Sequence, residues 1–281
     1  MSKKNETGNG IMSKAGIPTG FKKLDRLIPG FQPSELVVIA GQPAMGKTSL
    51  CLNIAGHLAL KKDMPVALFS FKGAKEIVGS MLSSMAEVGS RKLQTGRLAD
   101  NDWDKIIGAV DLLHEASVYI EDTSGQTLKD MADSLKESIE LHNYRLIIVD
   151  YLQLIKRKQN TPIFKIVKSI KDMAKEFAIP IIVISRLPRQ VEQQAGGRPN
   201  LSDLGKIAQY ADTVIFIHRE EVSRPCSCNG KACSCGRRNS AEIIVAKQRD
   251  GHTGSIKLAF YDEFGRFEDL KTQRNSLALP I

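Results

Sequence analysis

An unbroken apolar run, Leu36-Val37-Val38-Ile39-Ala40, passes straight into Gly41-Gln42-Pro43-Ala44-Met45-Gly46-Lys47-Thr48 and then into the helix-compatible Ser49-Leu50-Cys51-Leu52-Asn53-Ile54-Ala55. Strand, G-x-x-x-x-G-K-T and helix, in that order, are the context a phosphate-binding loop requires. The cause is electrostatic: backbone N–H groups of the glycine-rich turn and the positive end of the following helix together cradle an anionic phosphate chain. An ordinary glycine-rich β-to-α turn is the competing reading, and it does not explain why every fixed position is filled with both flanks correct. The candidate contacts are Gly41, Gln42, Pro43, Ala44, Met45, Gly46, Lys47, Thr48 and Ser49. Lys47 would reach the β and γ phosphates, and the Thr48 hydroxyl would hold Mg²⁺. The expected ligand is a nucleoside triphosphate.

The rest of the chain alternates between strand and helix patterns. Pro65 to Phe71, Leu146 to Asp150 and Ile179 to Ser185 are continuous apolar runs, as strands buried on both faces require. Ser117 to Glu121, Asp212 to His218, Ala241 to Lys247 and Gly254 to Phe260 are further strand candidates. Between them, Ile77, Met81, Leu82 and Met85, then Asn101 to Glu115, Thr127 to Asn143 and Phe164 to Phe177 carry apolar residues at helical spacing. A short amphipathic helix is expected between Gly20 and Pro29-Gly30. Strands alternating with long helices imply a mainly parallel sheet covered on both faces, and the closing strands, with no helix between them, should extend it antiparallel. Such a sheet gathers its strand ends at one edge, so Asp150, Ser185 and the phosphate loop should converge there, with Asp150 supporting the bound Mg²⁺. Residues 1–15 and 272–281 read as tails around a unit spanning 16–271.

Across 281 residues the formal net charge is +9, which favours a polyanionic partner. No apolar run approaches the roughly 18 residues that span a bilayer, and Met1 to Gly10 lacks the apolar core of a secretory signal. A cytoplasmic protein without a membrane partner is the expectation.

Several separated stretches resemble one family, the RecA-like motor domain of the DnaB-type replicative DNA helicases. They are G-I-P-T-G-F-x-x-L-D from Gly16 to Asp25, the loop G-Q-P-A-M-G-K-T, and Ile148-Val149-Asp150-Tyr151-Leu152-Gln153-Leu154. Further matches are Thr95-Gly96 with Asp102-Trp103, Tyr119 to Gly125, Ser202-Asp203-Leu204, Ala211-Asp212 and Ala246-Lys247-Gln248-Arg249-Asp250-Gly251. The resemblance implies a three-layer RecA-like fold and an ATP-hydrolysing DNA helicase. It also implies a homo-oligomeric ring, usually a hexamer, with ATP at subunit interfaces and single-stranded DNA in the channel, working among other replication proteins. On this resemblance Lys47 and Thr48 bind phosphate and Mg²⁺, Asp150 supports the metal, and Lys247 with Arg249 reach the γ-phosphate of the neighbouring subunit.

The chain departs from that pattern at specific places. Where the family has a glutamate that orients the attacking water, this sequence has Lys72, which cannot act as that base; Glu76, a helical turn on, is a poor geometric substitute. Arg186 stands where the family usually has a glutamine. The arginine- and glycine-containing loop that lines the family's DNA channel is shortened to Gly205-Lys206-Ile207-Ala208-Gln209-Tyr210. Lys156, Arg157, Lys158, Arg189, Arg198 and Lys206 remain as candidates for DNA phosphate contacts, the alternative being a solvated basic face. The resemblance covers the motor domain and not the family's N-terminal domain. Lys72 leaves a second function open, a RecA-like ATP-binding regulator or helicase partner with impaired hydrolysis.

Cys226, Cys228, Cys233 and Cys235 form C-x-C-x₄-C-x-C in an insertion at 224–238, flanked by Arg224, Arg237 and Arg238. Four thiolates could wrap one structural Zn²⁺ tetrahedrally. A reduced loop and a pair of disulfides are the alternatives, and the spacing differs from the common C-x₂-C.

Overall fold

A computed structural model describes residues 16–122, 126–156, 161–187, 197–223, 239–249 and 251–270. The expected tails, the cysteine-rich insertion and its four cysteines lie outside the described residues. Strands β1 (Leu36–Gly41), β2 (Val66–Ser70), β3 (Val118–Asp122), β4 (Leu146–Asp150), β5 (Ile181–Arg186) and β6 (Thr213–His218) run parallel, and β7 (Ser240–Lys247), β8 (Gly254–Tyr261) and β9 (Arg266–Asp269) continue antiparallel. They form one sheet in the order β3-β2-β4-β5-β1-β6-β7-β8-β9.

Strand periodicity assigns the two faces. Val37, Ile39, Leu68, Ile148, Ile182, Ile184 and Ile215 pack in one apolar cluster with Leu50, Ile54 and Leu58 of α2 (Lys47–Lys61) and Ile77 and Met81 of α3 (Ala74–Ala86). The alternate residues Val38, Ala67, Phe69, Ile147, Val149, Val183 and Phe216 join Met131 and Leu135 of α6 (Leu128–His142) and Ile166, Val167 and Ile170 of α7 (Ile163–Phe177). Helices therefore cover both faces, which is the three-layer arrangement expected for strands that are apolar at every position.

Local signals set several boundaries. Thr127 and Asp130 satisfy each other's backbone N–H groups at 2.8 and 3.3 Å, which fixes the start of α6. Asn143, at φ 50°, ends that helix in the left-handed conformation that asparagine tolerates. The short α1 (Lys22–Leu27) is anchored from both sides: Asp25 accepts from Thr19, and Asp269 of β9 accepts from the Lys22 N–H at 2.8 Å.

Among the elements that escape the sequence pattern are an edge strand and a short helix. The edge strand β9 is only four residues long and buries one of them, Phe267, so it presents no alternation to detect. The helix α4 (Ser90–Thr95) buries nothing and carries no apolar stripe. The helix α5 (Asp100–Glu115) matches its expected span, yet its outer face leaves Trp103, Ile107 and Val110 about half exposed. Ile148→Ala in the central strand β4 should cost about 2–5 kcal/mol in urea unfolding, whereas Ile107→Ala on α5 should stay within about 0.5 kcal/mol.

Candidate active site

The C-terminal ends of β1, β2, β4, β5 and β6 meet at one edge of the sheet, and the phosphate loop rises from the first of them. Gly46, at φ 89°, turns the chain into α2, and a Cβ there would come within 3.0 Å of the Phe267 ring and 3.1 Å of the Phe260 ring. Glycine is thus required twice over, by conformation and by space. Gly41 faces the backbone in the same way: an added Cβ would lie 2.8 Å from the Ile217 carbonyl.

Lys47 curls back over the turn and donates to the Gln42 carbonyl at 2.6 Å. Burial, followed by the nearby Arg186 charge, draws its ammonium down from 10.5 to about 8, with Asp150 opposing. An anion entering the turn would replace the solvation that burial takes from Lys47. The Thr48 hydroxyl donates to Asp150 Oδ2 at 2.9 Å, joining the start of α2 to the end of β4. Asp150 is 1% exposed, and its other oxygen, Oδ1, has no hydrogen-bond partner among the described residues.

Lys72 enters from the end of β2. Its Nζ donates to Thr48 Oγ1 at 3.0 Å and lies 3.7 Å from Asp150 Oδ2. Arg186, at the end of β5, lays its guanidinium 4.1 Å from the centre of the Tyr151 ring. Together with Phe260, Asp262 and Gly265 these groups line an open cavity of about 300 Å³ around the loop. Ser185 is fully buried and accepts from Gln153 Nε2 at 3.0 Å, while Gln153 also accepts from the Arg186 N–H at 3.2 Å. The expected convergence of loop, Asp150 and Ser185 is therefore present, and Gln153, just after β4, adds side-chain bonds to the end of the neighbouring β5.

Arg219 is the main contributor that sequence reasoning missed. It is 4% exposed, directly after β6, and donates to the Ala44 carbonyl and to Asp262, both at 2.9 Å. It also pairs with Glu221 at 2.5 Å and stacks 4.4 Å from the Phe260 ring centre, while its backbone N–H reaches Met45 Sδ. Its position at a parallel strand's C-terminal end was the available signal, but Asp262 and Phe260 come from the β8–β9 hairpin, which only the fold brings here.

Lys247 and Arg249 do not approach this loop within the chain. Lys247 pairs with Val214 near the beginning of β6, level with Val38 of β1, and donates to the Ala208 and Ala211 carbonyls, which precede β6, at 2.8 and 2.5 Å. Arg249 is 72% exposed and 3.7 Å from Asp212, which itself caps the Leu36 N–H. They lie toward the sheet edge opposite the phosphate loop, with Lys247 three residues, or about 10 Å, below Gly41 along the strands.

The described DNA-contact candidates are scattered. Lys156 is exposed, Lys206 sits 5.0 Å over the Phe164 ring, and Arg198 forks onto Glu242 of β7 at 3.0 and 3.1 Å. None of the three lines the phosphate cavity. Arg157, Lys158 and Arg189 lie outside the described residues. Among the described residues no group of three or more His, Cys, Asp or Glu side chains could hold a metal ion, and no helix is long and apolar enough to cross a membrane.

Arg219→Met should remove the tie between the loop and the β8–β9 hairpin, leaving Glu221 without its buried cation. The expected cost is about 3 kcal/mol of stability, read by denaturant unfolding, with weakened binding of a fluorescent ATP analogue. Unchanged values in both measurements would show that the loop is held without it.

The model of the DnaB-like helicase C terminal domain matches residues 16–269. The replicative DNA helicase DnaB of Geobacillus stearothermophilus is 36% identical over 275 residues, covering 94% of this chain and 59% of that protein. The Pasteurella multocida DnaB is 38% identical over 284 residues, 97% of this chain and 58% of its own length. The chain thus spans somewhat under two thirds of these relatives. Among solved structures, a DnaB-like replicative helicase studied with its primase interactions superposes with a TM-score of 0.83 at 32% identity, covering 91% of this chain and 62% of that one. A second solved structure, of an ATPase domain, superposes with a TM-score of 0.81 at 32% identity, covering 91% of this chain and 92% of that one. With its RecA-like sheet, its phosphate loop and a match across nearly all its described residues, the chain belongs to the DnaB-like helicase C-terminal domain family.

Proposed function

We propose that this chain is the ATP-driven motor of a cytoplasmic DNA helicase, with residues 16–271 as the motor unit. The observation that carries the reading is the separation of two half-sites on one sheet: Lys47, Thr48 and Asp150 at one edge, Lys247 and Arg249 at the other. A site completed by another copy of the chain uses both edges. The reading therefore includes a homo-oligomeric ring, a hexamer by family likeness, with each nucleotide between two protomers.

In this reading the loop backbone from Gly41 to Ser49 and the Lys47 ammonium grip the phosphate chain, and Arg186 adds a second cation beside it. Thr48 and Asp150 are a hydroxyl and a carboxylate within hydrogen-bond distance, hard oxygen donors of the type Mg²⁺ takes, and Asp150 Oδ1, without a hydrogen-bond partner among the described residues, could accept from a metal-bound water. When bound, Mg²⁺ would supply charge neutralisation on the phosphates. The Arg249 of an adjacent protomer would stabilise the charge that develops as the terminal phosphoryl group leaves. Lys72 occupies the place of the family's water-orienting glutamate and does not serve as a base. The net positive charge, with Lys156, Arg157, Lys158, Arg189, Arg198 and Lys206 as candidates, suits single-stranded DNA held through its phosphates. The primase interactions of one structural relative support other replication proteins as partners. The four cysteines from Cys226 to Cys235 remain a candidate structural Zn²⁺ site.

ATP turnover measured with and without single-stranded DNA, beside native mass, tests the motor. Lys47→Ala and Arg249→Ala should each lower DNA-stimulated turnover by at least about tenfold. Mixing the two variants should restore part of it, because some interfaces then combine an intact loop with an intact Arg249. Wild-type turnover no faster than that of Lys47→Ala would retire the motor reading and leave a nucleotide-binding partner protein.

A further inference from the structure

We infer that the Lys72 ammonium is a built-in cation at the metal position of the phosphate site, so that this chain binds nucleoside triphosphate with little need for a divalent ion. The inference rests on the nucleotide reading above and concerns what neutralises the phosphates there.

The geometry starts from the two oxygens that would hold Mg²⁺. Thr48 Oγ1 and Asp150 Oδ2 are 2.9 Å apart, and Lys72 Nζ stands against both, donating to the first at 3.0 Å and 3.7 Å from the second. An ammonium has three donors. One is used on Thr48, which leaves others to turn toward the cavity that Lys47, Ser49 and Arg186 also line.

The placement is anchored from the backbone. The Lys72 N–H donates to the buried Ser70 hydroxyl at 3.1 Å, and the Phe71 N–H donates to the Asp150 carbonyl at 3.1 Å, which locks the end of β2 to the end of β4. The next residue, Gly73, turns the chain at φ 84° into α3. Lys72 is 29% exposed at its side chain, so its stem is partly packed while its head faces the site.

Charge favours the same assignment. A single buried carboxylate, Asp150, already faces the Lys72 and Lys47 ammonium groups. A dication placed between Thr48 and Asp150 would meet a fixed positive charge within about 4 Å, and it repels that charge twice as strongly as a monocation would. A phosphate oxygen entering the cavity meets no such penalty and gains a charge-assisted hydrogen bond.

The test is titration of a fluorescent ATP analogue in Mg²⁺ and in EDTA, with wild type, Lys72→Met and Lys72→Glu. Lys72→Met keeps the packed stem and removes the charge; Lys72→Glu reverses it, so the effect does not hang on one variant. For wild type the affinity should change by less than about fivefold between the two buffers, and for each variant Mg²⁺ should be worth at least about tenfold more than it is for wild type. A larger wild-type dependence, or variants whose dependence matches wild type, overturns the inference and leaves nucleotide binding intact. Wild type that binds the analogue in neither buffer overturns the inference together with the nucleotide reading.

Discussion

One buried carboxylate organises the phosphate site. Asp150 sits at 1% exposure on the end of the central strand β4, where an unpaired charge would be strongly disfavoured. Its stability comes from what surrounds it: the Thr48 hydroxyl from the start of α2, Lys72 from the end of β2 and Lys47 from the loop itself. Three elements that are distant in sequence are therefore held by their need to solvate one another. The loop cannot move away from β4 without taking the Thr48 hydroxyl and the Lys47 charge from that carboxylate, leaving Lys72 alone beside it.

The second constraint is mechanical. Arg219 binds the Ala44 carbonyl, so the turn is gripped from the β6 side as well, and the Phe260 and Phe267 rings fill the space beneath Gly46. The antiparallel strands thus serve the parallel half: β8 and β9 bring Asp262 and two aromatic rings to a loop that begins at β1. A phosphate-binding turn works when its N–H groups are fixed before the anion arrives, because no ordering is then needed on binding. Packing on one side and a buried guanidinium on the other provide that rigidity.

Lys72 shows how one residue changes the logic of a familiar geometry. A carboxylate at the end of β2 would have increased the negative charge beside Asp150 and drawn in a metal. A lysine there neutralises Asp150 internally. The loop, Thr48 and Asp150 stand together at the strand ends, and Lys72 sets a positive charge against them where a carboxylate would have set a negative one.

The layers and the phosphate loop were legible in the sequence because both are local. Strands apolar at every position can only be buried on two faces, the helical spacing of α6 and α7 selects one buried stripe, and Gly41 to Thr48 is a contiguous motif. Asp150 was legible too, as the carboxylate that ends an apolar strand, and the resemblance added Lys247 and Arg249. Arg219, Asp262 and the short β9 were not legible, since each depends on the hairpin returning to the sheet edge, and a four-residue strand with one buried residue carries no period. The sequence could say that Lys72 is not a base, but only the fold shows its ammonium against Thr48 and Asp150. Motif and periodicity are written in neighbouring residues, whereas the balance of charge around Asp150 is set by strand ends that only the closed sheet brings together.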